Sequence, residues 1–68
     1  MTHASEYVVT GMTCEHCVAS VSEEVGEIAG VTSVRVDLST GGVTVTSERP
    51  LTRAEVEAAV DEAGYHLA

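Results

Sequence analysis

Apolar residues recur along this chain with two different periods. "EYVVT" (6–10) is a run of β-formers that stops at Gly11, which predicts a short strand. From Glu15 to Ile28 the apolar positions are Cys17, Val18, Val21, Val25 and Ile28, a spacing that puts one stripe on a helix. Thr13 is the expected N-cap, and Gly30 lies just past the end, where a left-handed stop is wanted. "VTSVRVDL" (31–38) alternates, with Val34, Val36 and Leu38 on one face and Arg35 and Asp37 on the other. "GVTVTS" (42–47) alternates too, Val43 and Val45 against Thr44 and Thr46. The intervening "STGG" (39–42) is turn chemistry, so the two strands read as a hairpin, ended by Pro50. In "LTRAEV" (51–56), Thr52 and Glu55 have capping-box spacing, and Leu51 with Val56 that of a hydrophobic staple. That helix runs on through Ala59, Val60 and Ala63 to Gly64, and "YHLA" makes a short last strand.

The order β-α-β-β-α-β predicts an α+β fold of ferredoxin-like type. Two helices should cover one face of a four-stranded antiparallel sheet. With 68 residues and no linker, repeat or low-complexity tract, a single domain over 1–68 is expected. The apolar share is 44%, with two Tyr and no Phe or Trp. It suffices for one thin core and leaves no room for a deep substrate cleft, so an enzyme is not expected.

Three Arg stand against eleven Asp and Glu, a formal charge of −8. Such a surface repels nucleic-acid phosphates and anionic lipid, and suits a partner with a positive face. A surface that merely keeps the protein dissolved reads the same way. The start "MTHASEYVV" has no charged leader followed by an apolar stretch, and no run approaches a membrane span, so neither membrane insertion nor secretion is expected. The expected compartment is the cytoplasm, where thiols stay reduced.

Both cysteines lie in "GMTCEHC" (11–17). Three residues of helix are about 300° of rotation and about 4.5 Å of rise, so Cys14 and Cys17 project from nearly one side. Cys14 should sit just before the helix and Cys17 in its first turn, near the positive end of the dipole, which favours thiolates. Glu15 between them favours the helix start but opposes thiolate formation, so the net shift stays open. A disulfide here would close too small a loop to stabilise much. Zinc wants four ligands, whereas His16 points roughly 100° away from Cys17, and His3 and His66 would reach the site only by chance. Cu(I) is soft, is selected by thiolates and accepts low coordination. C-x-x-C is also a dithiol redox signature, yet Thr13 stands where oxidoreductases of that kind carry an aromatic.

"GMTCEHCVASV" (11–21), with "VDEAGY" further on, resembles heavy-metal-associated domains, in particular bacterial copper chaperones. The resemblance covers nearly everything after the first five residues. It implies Cu(I) held by Cys14 and Cys17, and handed by ligand exchange to the metal-binding domain of a copper-transporting P-type ATPase. It implies that Met12 is a buried prop beneath the loop and not a ligand. Thr13 stands where zinc- and cadmium-selective relatives commonly carry Asp, which leans the site towards Cu(I). Tyr65 matches the aromatic that faces the metal in bacterial chaperones, and would shield it and offer a hydroxyl. His16 matches a common solvent-facing histidine that tunes the site and would join copper only when two molecules meet, which leaves room for a copper-bridged homodimer. His66, by strand alternation, should point away from Tyr65. Two rival readings remain: a domain cut from a transport ATPase, and a dithiol oxidoreductase. The initial Met and the end just after the last strand favour a free carrier over the first, and Cu(I) uptake against disulfide turnover tests the second.

Overall fold

A computed structural model describes residues 2–68. Its elements follow the order β1 (His3–Thr10), α1 (Glu15–Gly26), β2 (Val31–Asp37), β3 (Gly42–Ser47), α2 (Arg53–Glu62) and β4 (His66–Leu67). The sheet is antiparallel with strand order β2-β3-β1-β4. This is the expected ferredoxin-like fold.

Period-two alternation supplies one layer of the core and the helical stripe supplies the other. Val9, Val43 and Val45 of the sheet are buried against Val21 and Val25 of α1 and Val56, Ala59 and Val60 of α2. Ser47 continues the β3 alternation inward, and its hydroxyl is satisfied by donating to the Arg49 carbonyl. β-branched valines suit a sheet, and a core built almost wholly from them keeps the two layers close.

Helix α2 begins as its sequence dictates. The Thr52 hydroxyl accepts from the Glu55 N–H while the Glu55 carboxylate accepts from the Thr52 N–H. Arg49 clamps that same carboxylate and donates from Nε to the carbonyl of Ala29, tying the end of the α1–β2 turn to the start of α2. The capping and the clamp together hold Glu55 down at about 2, the Arg49 hydrogen bond being the largest cause.

Several boundaries depart from the pattern. β1 starts at His3 because its first residues pair with the far end of β3, His3 opposite Ser47. α1 stops at Gly26, short of Ile28, and Gly30 sits in the following turn at positive φ. Leu38 does not join the core face with Val34 and Val36: β2 ends at Asp37, whose carboxylate accepts from Ser39, and Leu38 lies exposed in the turn. β4 holds only two paired residues, and Tyr65 precedes it. The turn after β2 must contain a glycine at position 41. Its carbonyl accepts from the Val9 N–H, its φ is +77°, and a Cβ there would stand 2.6 Å from the Val9 carbonyl oxygen.

Candidate metal centre

The β1–α1 loop carries the two thiols to the end of the sheet where β1 finishes. Gly11 makes the exit from the strand at φ +92°, a conformation other residues rarely adopt. A Cβ on Gly11 would lie 3.4 Å from Cδ1 of Tyr65, so the tyrosine ring packs against the bare glycine backbone. Met12 packs on the core but is only half-buried, where a fully buried side chain is expected.

Thr13 is not the N-cap. Cys14 takes that position with extended backbone (φ −156°, ψ 174°), and its carbonyl accepts from the N–H groups of Cys17 and Val18. No side chain caps the helix start. The Thr13 hydroxyl lies 3.9 Å from the Cys17 sulfur instead.

The two sulfurs are 3.6 Å apart and both thiols are free. They are not equivalent. Cys14 is exposed, while Cys17 is buried in the first turn of α1. Donors act on the Cys17 thiol, the backbone N–H of Thr13 most, then the Tyr65 hydroxyl and the backbone N–H of Cys14. These favour the thiolate, outweigh burial, and lower the thiol from 9.0 to about 6. Tyr65 is correspondingly pushed up, first by its hydrogen bond to Cys17. For Cys17 the direction is downward despite the neighbouring Glu15, with the Thr13 amide the largest cause and Tyr65 the next.

His16 is exposed on the outer side of α1. His66 is exposed as well, its Nδ1 lying 3.3 Å from Asp61 of α2, while Tyr65 is half-buried. Among the described residues no set of three or more His, Cys, Asp and Glu side chains converges as a metal cage. Two thiols at an exposed helix start can hold a soft ion in low coordination. Sequence reasoning read Gly11 only as a strand stop and missed its part as the seat for Tyr65. It likewise missed the Thr13 amide, since no side-chain letter announces where a backbone N–H will point.

The model of the heavy-metal-associated domain matches residues 6–66, and the chain belongs to that family. Within it, the chain is 41% identical over 61 residues to the copper chaperone CopZ of Enterococcus hirae, covering 88% of each. It is also 41% identical over 59 residues to a zinc/cadmium/lead-transporting P-type ATPase of Shigella sonnei, covering 87% of this chain and 8% of the ATPase. A solved CopZ metallochaperone superposes with a TM-score of 0.89 at 30% identity, covering 97% of this chain and 100% of the other.

Proposed function

We propose that this protein is a cytoplasmic copper carrier that binds Cu(I) through Cys14 and Cys17 and passes it to the metal-binding domain of a copper-transporting P-type ATPase. The observation that carries the reading is the pair of sulfurs 3.6 Å apart at an uncapped helix start, one exposed and one held near its thiolate form. A thiolate binds the soft ion without waiting for a proton to leave, and an exposed partner admits a second protein. Transfer then proceeds by exchange. An incoming thiol forms a Cu–S bond as the bond to Cys14 breaks, and its proton passes to the leaving sulfur; a second exchange displaces Cys17. Tyr65 over the loop limits water, and Met12 holds the loop from beneath.

Likeness to a chaperone over 88% of each chain supports the carrier. Likeness to a short segment of a transport ATPase supports a second reading, the same domain within a larger pump. The mass of the protein isolated from its own cells separates the two.

Competition titration with a Cu(I) chelator, anaerobic and reduced, tests the site. Cys14→Ser and Cys17→Ser are each expected to lose tight binding while circular dichroism keeps the folded spectrum. Wild-type affinity in either variant would refute the two-sulfur site.

A further inference from the structure

Two features at the free edge of β2 have no part in the metal site. Leu38, just beyond the strand, is 37% exposed, one of two large apolar side chains left exposed with Val8 among the described residues. At the other end of the same edge lies a groove of about 260 Å³, walled by Ser22 and Gly26 of α1 and floored by Val31 and Val34 of β2. A Cβ on Gly26 would meet nothing within 4 Å, so the helix side of the groove stands open.

Between them runs an unpaired strand edge. β2 is the outermost strand. The Asp37 carbonyl points inward, accepting from the Gly41 N–H, and backbone groups alternate along an antiparallel strand. The N–H and C=O of Val34 and Val36 therefore face outward. The irregularity that blunts this edge is confined to Val31–Ser33, leaving Val34–Asp37 in regular register.

We propose that this edge is the contact with a second copy of the chain, the two β2 strands pairing antiparallel about a two-fold axis at Val36. The register follows from chemistry. Outward-facing backbone groups at Val34 and Val36 allow an axis at either of them, or at the non-hydrogen-bonded positions Arg35 and Asp37 between and beside them. At Val34 each strand meets the irregular end of the other and Leu38 is left out. At Val36, Arg35 falls opposite Asp37 of the second copy, and Asp37 opposite its Arg35. Both are exposed and occupy the positions where facing side chains come closest, and Asp37, which accepts from Ser39 through Oδ1, keeps its negative charge there. An axis at Arg35 or Asp37 would instead set like charge against like. With Val36 central, the turn beyond Asp37 passes the Val34 end of the second copy, which brings Leu38 to the groove beside its Ser22 and Gly26. One surface supplies knob and groove together, as a two-fold contact requires.

Both copies carry −8, so the dimer is weak. Added salt strengthens it by screening the net charge, while the exposed Arg35–Asp37 pairs set register more than affinity.

Amide chemical shifts followed against concentration, with the protein metal-free, reduced and in chelator, test this apart from copper. Concentration-dependent shifts are expected at Val34–Leu38, Ser22 and Gly26, growing with salt. Leu38→Ser removes the knob and Gly26→Leu fills the groove. Each should weaken association by roughly tenfold or more and keep the folded spectrum and the Cu(I) affinity, since neither residue touches the loop. No concentration dependence up to millimolar protein would overturn the proposal. So would shifts centred on residues 11–17, or wild-type association in both variants.

Discussion

At the scale of single residues, the site is an asymmetric pair. Cys17 is held near its thiolate form by the Thr13 amide, the Tyr65 hydroxyl and the Cys14 amide, whereas Cys14 lies open to solvent. Thiolate absorbance against pH should show Cys17 ionising as pH rises through about 6. Removing one donor weakens the charged form, so Tyr65→Phe should move that midpoint upward. An unmoved midpoint would mean that the tyrosine serves only as a cover. Below the wild-type midpoint a proton competes with the metal at Cys17, and Cu(I) affinity should fall there.

At the scale of elements, the two helices are built with opposite economy. α2 has a complete capping box joined to Arg49. Thr52→Ala should cost about 1 kcal/mol, read from the denaturation midpoint. Glu55 is depressed to about 2 in the fold against an ordinary 4.5, so its contribution is present above 4.5 and lost as pH falls through about 2. Replacing it, as in Glu55→Gln, should flatten the stability loss across that window. α1 instead ends among Glu23, Glu24 and Glu27 with no basic residue in its last turn. Burial and the neighbouring Glu27, Glu62 and Glu23 push Glu24 up. Its ionised form therefore costs stability above its raised value and nothing below the ordinary range. Glu24→Gln should raise the melting temperature at pH 7, a gain that disappears in acid.

At the scale of the molecule, charge and surface decide how the protein meets others. Among the described residues no helix is long and apolar enough to cross a membrane. In the role proposed for it, a chain of charge −8 should find a basic acceptor face fast at low ionic strength. Stopped-flow transfer of Cu(I) to an acceptor domain should outpace release to solvent and slow as salt is added. Transfer no faster than dissociation would point to storage of the metal. Self-association through β2 should move the opposite way with salt, so the two contacts are separable in one series.

Local physics already writes much of this protein into its letters. Alternating valines mark β2 and β3, Thr52 and Glu55 mark the start of α2, and C-x-x-C at a helix start brings two sulfurs to one side. Each is a relation between residues a few positions apart, which period and rotation determine. Only the assembled fold could decide the rest, because the partners are distant along the chain. The β1 strand is extended by pairing His3 with Ser47, and Gly41 is required by the approach of Val9. Tyr65 reaches Cys17 from across the domain over Gly11, and the cap falls to Cys14 once Thr13 turns its amide to the sulfur. Leu38, apolar and in phase with Val36, looked inward by its period; the strand ends one residue too soon to bury it, and the sheet edge beside it is where that matters.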